Sequence, residues 1–565
     1  MASLTKKIIQ GKPYYYLREC QRVGGRPKIV KTKYLGSLAS LLARLSQADT
    51  PAQPQAVDIA DFGEIAALWD LAQQLDLVGV IDQHVPKRQQ GLSVGQYLVL
   101  AAINRAAHPT SKTGLADWYR QTILTRLLPA SAVQLSCQAF WNHMDLVEAT
   151  HIEAIEKDLS QRLVERFQIS LRTLVYDGTN FFTYLATSNP AQLPARGHNK
   201  QKRTDLRQVN LGMLVSTDFH VPLFHKVYTG NINDATEFKT ITEDLRLRYQ
   251  QLAAHCQDIT LIFDKGNNSQ EAFDTLLGSG FHFVGSLVAS QHPELLEVPR
   301  RRFHPLAGER LQDCLAYRTE LEVFGAKRTV VTYNENLLAG QLQGIQANLQ
   351  KSRAKLHALQ HRLKDRRQGR TRGGKAPTVE SVRHQVDQIL SAQFMKRLME
   401  VEVTPAQVPG LSFRTNTQAL GELLRRELGK TILFTDNQDW TDEQIILGYR
   451  AQSHVEDAFR EMKNPHFLGW SPMFHWTDSK IKVHAFYCVL ALMLASLLQR
   501  SLHQKGLDLS IRAMLESLAA IKQTTVIFEP VSGSRKPRLA ACLSKINDQQ
   551  RRLFDALDLR RFAPA

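Results

Sequence analysis

The stretch "LRTLVYDG" (171–178) reads as a strand that ends in a turn: Leu174, Val175 and Tyr176 favour extended structure, and Asp177–Gly178 punctuates the run. Two more strand-like runs follow, "LGMLVSTD" (211–218) and "PLFHKVYTG" (222–230). A helix-like stretch, "DATEFKTITEDLRLRY" (234–249), leads to the apolar strand "ITLIFDKG" (259–266), then to a short helix and "FHFVGSL" (281–287). Three strands, a helix, a strand, a helix and a strand predict a mixed α/β layer. Asp177 and Asp264 each close one of these strands. Residues at the C-terminal ends of neighbouring strands in such a sheet point into one crevice, so both carboxylates are expected there.

A third acid comes from "YRAQSHVEDAFREMK" (449–463). Read as one helix at about 100° per residue, Tyr449, Gln452, Glu456 and Lys463 fall within a stripe about 60° wide. Val455, Phe459 and Met462 form a neighbouring apolar stripe that should face a core. Asp457 and Glu461 lie about 100° and 140° from Glu456 and are expected to face solvent. Three carboxylates gathered within a few ångströms repel one another, and a divalent cation relieves that repulsion. An all-carboxylate donor set favours Mg²⁺, with Mn²⁺ the alternative, over zinc. A pair of such ions about 3.5–4 Å apart suits displacement at a phosphodiester.

Composition agrees with a polyanionic partner. The 565 residues hold 71 Lys plus Arg against 54 Asp plus Glu, a formal charge of +17, and each phosphate that a cation neutralises releases counterions. Six scattered cysteines form neither a zinc spacing nor a disulfide framework, which fits a reducing compartment. "MASLTKKIIQGKPYYY" has no apolar signal core, and "AFYCVLALMLASLL" (485–498) is too short to span a bilayer and reads as a buried helix. A soluble cytoplasmic protein without membrane contact is expected.

Around the α/β layer the chain divides by pattern. Residues 1–47 read as a basic β-hairpin arm turning at "VGG" (23–25), with nine Lys or Arg between positions 6 and 33 against Glu19, and with Tyr14, Tyr15 and Tyr16 interleaved. "ADTPAQPQAV" (48–57) reads as a linker. Residues 58–168 are helical and serve equally well as a DNA-binding domain or a scaffold. The layer occupies 169–290 and resumes at 437–505. Between them, 291–436 reads as an insertion made of a β-hairpin (316–333, turning at Gly325) and two long helices joined by "DRRQGRTRGGKAPT" (365–378). The tip carries Arg366, Arg367, Arg370 and Arg372, which suit phosphate contact. A helical tail fills 506–565.

"LVYDGTNFF" (174–182), "GHNKQKRTDLRQVNLGMLV" (197–215), "LIFDKGNNS" (261–269), "GYRAQSHVEDAFREMK" (448–463) and "HWTDSKIKVHAFYCVLALML" (475–494) resemble the DDE transposases of bacterial insertion sequences, superfamily four among them. That resemblance implies a ribonuclease-H-like core, with Asp177, Asp264 and Glu456 as catalytic, metal-holding residues for two Mg²⁺ or Mn²⁺ ions. The 191 residues between Asp264 and Glu456 leave room for the family's insertion. It implies double-stranded DNA as partner, namely terminal inverted repeats and target, with a homo-oligomer, a dimer by expectation, joining the ends. It implies cut-and-paste transposition near the bacterial nucleoid. A catalytically inactive DNA-binding derivative and a metal-dependent nuclease are the alternative readings.

The superfamily's Tyr, Arg, Glu and Lys spacing is met by Tyr449, Glu456 and Lys463, but Gln452 stands at the arginine position. Gln452 carries no charge, and Arg450 is a candidate to replace that contact. Tyr449 and Lys463 would hold the DNA strand. His198, Lys200, Lys202 and Arg203 form a basic loop placed to touch flanking DNA, and Asp205 and Asp234 are expected to be structural. Thr179 is expected to fasten a turn, His484 to be a satisfied core histidine, and Trp470 and Trp476 to pack in the core.

Overall fold

The computed structural model describes residues 2–23, 26–42, 54–86, 91–199, 201, 203–232, 243, 258–264, 270–277, 280–324, 328–371, 373, 375–529 and 537–564. The helix expected at 234–249, with Asp234, lies outside the described residues but for position 243, as do Lys200, Lys202 and Arg372 and the turns expected at Gly24–Gly25 and Gly325.

The arm has one strand more than the sequence suggested. β1 (Ala2–Ile9), β2 (Lys12–Val23) and β3 (Arg26–Ser37) form an antiparallel sheet, with β1 and β2 joined at Gln10–Gly11. Both turn residues have positive φ, which glycine adopts without cost and which defines a tight hairpin. Among the described residues, no arm side chain enters either hydrophobic core. The end of the stretch read as a linker is also a strand. β4 (Pro54–Asp61) pairs antiparallel with a strand of the tail more than 450 residues later in the chain.

The 58–168 region is helical, led by α1 (Gly63–Gln74), α2 (Val94–Ala107) and α3 (Ala149–Phe167). Ser93 caps α2 and exchanges hydrogen bonds with Gln96 in a capping box. These helices do not stand apart from the sheet. Their apolar faces, the sheet and the tail share one continuous core that runs from Phe62 to Leu559.

In the α/β layer, β5 (Thr173–Thr183), β6 (Arg207–Ser216), β7 (Pro222–Thr229), β8 (Thr260–Ile262) and β9 (His282–Ser286) lie in the spatial order β7-β6-β5-β8-β9. β6 is antiparallel to both neighbours, whereas β5, β8 and β9 run parallel. This is the ribonuclease-H-like arrangement. The insertion extends the same sheet: β10 (His304–Pro305), β11 (Cys314–Thr319) and β12 (Arg328–Asn334) reach β9 through a later strand, β15 (Lys430–Thr435). The hairpin expected at 316–333 is the β11–β12 pair.

Beyond β12, α4 (Glu335–Arg367) and α5 (Val379–Ile389) form the expected helical hairpin. Leu356, Leu359, Leu363, Val382 and Val386 are buried between them and against the hairpin β13 (Met399–Thr404) and β14 (Gly410–Thr415), a second core separate from the first. β15 (Lys430–Thr435) then returns between β12 and β9.

The segment 449–463 is not one helix. α6 (Asp442–Arg450) ends and α7 (Gln452–Met462) begins at Ala451, whose N–H is shared between the carbonyls of Leu447 and Gly448. Lys463 lies just past the end of α7. Next, α8 (Asp478–Gln504) is 27 residues long, so the helix exceeds the apolar run that the sequence shows. By length and composition it could cross a membrane, but 94% of its apolar window is buried inside the fold. It is the central helix, packed on α1, α2 and β7. Each large aliphatic side chain that it buries contributes about 1.5–3 kcal/mol. In the tail, β16 (Lys522–Phe528) lies between β4 and β17 (Arg538–Leu543).

Candidate active site

Asp177 sits inside β5, not at its end, and is paired with Met213 of β6. The strand continues through "DGTNFFT" because β6 supplies a ladder partner for every residue to Thr183, so Asp–Gly makes no turn here. The parallel ladder with β8 is shorter and ends at Val175 and Ile262. Carried on by two residues, that register brings Asp264 opposite Asp177, just past the C-terminal end of β8. The expected crevice therefore arises where β8 stops while β5 runs on.

α7 packs across β5 with Val455, Ala458, Phe459 and Met462 buried, as the apolar stripe predicted. Its outer side carries Glu456, which is exposed. Asp177 and Glu456 line one cleft of about 690 Å³, together with Thr179, His198, Arg460 and Lys463. Asp264 does not line that cleft. It meets the site through Tyr449, whose hydroxyl lies 3.3 Å from Asp264 Oδ1 and 2.7 Å from Ser286 Oγ. Burial pushes the Tyr449 phenol well above its ordinary pKa; the Ser286 hydrogen bond opposes this, and the nearby charges of Asp264 and Glu456 add to it. All three acids thus surround the junction of β5, β8 and α7.

Among the described residues, no three His, Cys, Asp or Glu side chains gather tightly enough to form a ready-made ion cage. The expected gathering of three carboxylates within a few ångströms is therefore not met: Asp177 and Glu456 share the cleft, and Asp264 adjoins it through Tyr449. Mg²⁺ keeps several waters and needs only one or two carboxylates plus substrate phosphates. The oxygen-only donor set fits such a hard ion.

The break at Ala451 separates the four residues of the predicted stripe. Tyr449 turns toward Asp264 and Ser286, where it is half-buried. Gln452 is also half-buried, and its amide nitrogen has no hydrogen-bond partner among the described residues. Arg450 donates to the Arg310 carbonyl at 2.8 Å and lies 3.9 Å from Asp313. It borders a second recess on the other side of Glu456 from the cleft. Lys463 does reach the cleft: Nζ donates to Thr179 Oγ1 at 2.7 Å and stands 5.3 Å from the centre of the Phe181 ring. Thr179 is a strand residue that receives this cation, so it fastens no turn. The Asp457 side chain, 46% exposed, faces solvent as expected and pairs with Arg460 at 2.9 Å, while Glu461 is half-buried.

Arg203 grips Asp205 with two hydrogen bonds of 2.7 Å, which holds the Asp205 carboxyl down to about 2. Asn199 ties the same loop through the backbone of Gly197 and Arg203, and His198 opens onto the cleft. At the tip of the insertion, Arg366 bonds the Gly373 carbonyl, Arg367 bonds the Val408 carbonyl at 3.1 Å, and Arg370 lies 3.6 Å from Asp365. Arg366 and Arg367 end α4 and Arg370 follows it, so the three belong to the tip of the insertion.

Trp470 is buried and stacks on Phe181, with ring centres 4.2 Å apart. Trp476 is 66% exposed, so the core position expected for it is not met. His484 is the satisfied core histidine expected: it faces the Trp470 carbonyl at 2.8 Å and the Tyr487 hydroxyl. Sequence reasoning missed Ser286 and Asn199. The only signal for Ser286 was its place at the end of the strand that follows Asp264.

The family described as "Transposase DDE domain" matches residues 170–494, more than half of the chain and the whole span from β5 through most of α8. The chain belongs to that family, and its function is that of a transposase. No curated protein sequence matches it. Among solved structures it is similar to a piggyBac transposase synaptic complex with hairpin DNA, at 9% identity over 80% of this chain and 79% of that one, with a TM-score of 0.36. It is also similar to a Mos1 transposase paired-end complex with the left transposon end, at 15% identity over 33% and 62% of the two chains, with a TM-score of 0.15. The family membership rests on the sequence match.

Proposed function

We propose that this chain cuts DNA at the terminal inverted repeats of its own mobile element and joins the freed ends to target DNA. The observation that supports this reading is that Asp177 and Glu456 line one cleft, with Asp264 adjoining it through Tyr449. These carboxylates would hold two Mg²⁺ or Mn²⁺ ions. Such ions, when bound, neutralise charge on a phosphodiester and favour in-line displacement at phosphorus.

The chain's residues supply the rest. Lys463, fixed by Thr179 at the rim of the cleft, would hold a phosphate of the strand being cut, and His198 and Arg203 would border the flanking DNA. Water attack on phosphorus releases the 3′ oxygen as a hydroxyl, and that hydroxyl then attacks a target phosphodiester in the same cleft. Each displacement breaks one P–O bond and forms one. The arm's exposed lysines and the arginines at the tip of α4 would grip duplex backbone away from the cut, and a homodimer would bring two ends together. A bacterial cytoplasm would be the setting.

Strand cleavage in Mg²⁺ tests this reading. Asp177→Asn and Glu456→Gln should each abolish nicking at a terminal repeat and leave metal-free end binding unchanged. Cleavage that survives either change would overturn the assignment. End binding with no nicking by the parent protein, over a range of divalent ions, would favour an inactive DNA-binding derivative instead.

A further inference from the structure

Tyr449 holds Ser286 Oγ at 2.7 Å and Asp264 Oδ1 at 3.3 Å, yet a phenol has one proton to give. An ionised carboxylate, the form that binds a cation, only accepts. The phenolic proton must therefore face Asp264, and the Ser286 hydroxyl must donate to the phenol oxygen. A directed chain results, Ser286 to Tyr449 to Asp264.

Its members come from separate elements. Ser286 is the last residue of β9 and is buried; Tyr449 is in the final turn of α6; Asp264 follows β8. Because β8 and β9 pair in parallel at Ile262 and Val284, the same register brings Ser286 alongside Asp264. Asp264 stands beyond the last ladder pair of its short strand, so side-chain contacts set its direction.

We infer that Ser286 and Tyr449 are positioning residues that aim the Asp264 carboxylate at a divalent cation. The inference rests on Asp264 being an ion ligand, as proposed above. It gives Tyr449 a task other than holding the DNA strand. Groups that orient a ligand from behind typically alter metal affinity by about 10–100-fold when removed.

The test is Mn²⁺ titration of the full chain without DNA, followed by electron paramagnetic resonance, on Tyr449→Phe, Ser286→Ala, Ser286→Thr and Asp264→Asn. Tyr449→Phe and Ser286→Ala should each weaken Mn²⁺ binding about tenfold. Ser286→Thr, which keeps the hydroxyl, should restore it. End binding in EDTA should not change in the two Ser286 variants. If Asp264→Asn loses Mn²⁺ while Tyr449→Phe and Ser286→Ala bind like the parent, the relay is wrong and the ion site stands. If Asp264→Asn itself binds like the parent, the ion-site reading fails and takes the relay with it. Weaker metal-free DNA binding by Tyr449→Phe, with Mn²⁺ affinity intact, would return that tyrosine to the DNA.

Discussion

Lys463 is the cation whose placement follows most directly from the cleft, because Thr179 fixes it on the same strand that carries Asp177. A hydrogen bond to a charged group is worth about 1.5–3 kcal/mol, or roughly 10–100-fold. Lys463→Ala should lower end cleavage by that factor, and Lys463→Arg should recover part of it, measured as single-turnover nicking. A second prediction concerns Lys112, which is buried between the rings of Phe140 and Tyr487, at 4.3 and 4.2 Å, with no hydrogen-bond partner among the described residues. Burial, and then the neighbouring charge of Arg105, pushes this amine well below its ordinary 10.5. The unfolded chain binds that proton more tightly, so the residue costs stability increasingly as pH falls below 10.5. Lys112→Met should therefore raise the thermal midpoint, and by more at pH 6 than at pH 9. At the residue scale the sequence singled out Asp177 and Glu456, which line one cleft in the structure. It could not show Ser286, because a lone serine at a strand end carries no pattern.

Elements were legible where the period was strong and misleading where pairing partners decided the outcome. The leucine and valine spacing announced α4 and α5, since helices with a single apolar face must bury it somewhere. The heptad spacing of Tyr449, Glu456 and Lys463 suggested one helix, but a tightened turn at Ala451 splits it, and nothing in "RAQS" is a strong breaker. Asp177–Gly178 looked like a turn because Asp–Gly usually is one; ten residues of ladder with β6 overrode that preference. The separate core under the α4–α5 hairpin, the stalk of the insertion, yields a prediction at this scale. Leu359→Ala should cost about 2–5 kcal/mol within the insertion, because large-to-small changes in a core remove packing as well as burial. Limited proteolysis should then cut between 335 and 429 faster than in the parent, while the main core remains intact.

For the whole molecule, the surplus charge of +17 should appear as salt sensitivity. Each phosphate contact contributes about −0.9 to the slope of log affinity against log salt. Duplex binding should weaken steeply between low and moderate salt, and replacing Lys6, Lys7, Lys31 and Lys33 by alanine should flatten that slope measurably. An unchanged slope would remove the arm from the interface. The global plan was partly readable: a mixed sheet, an insertion and a basic periphery. What local patterns could not convey is that β4 joins a sheet with the tail, and that four strands of the insertion continue the sheet of the core.

The stalk leaves and re-enters the sheet through adjacent antiparallel strands. Tyr333 is paired with Lys430, and the Asn334 N–H bonds the Gly429 carbonyl at 2.8 Å. Topologically, residues 335–429 are one oversized hairpin loop whose two ends are already stitched together. Excising the lobe and bridging Asn334 to Lys430 with a short glycine-bearing turn would thus leave the spacing of the three acids untouched, and evolution is free to lengthen, trim or exchange it by the same route.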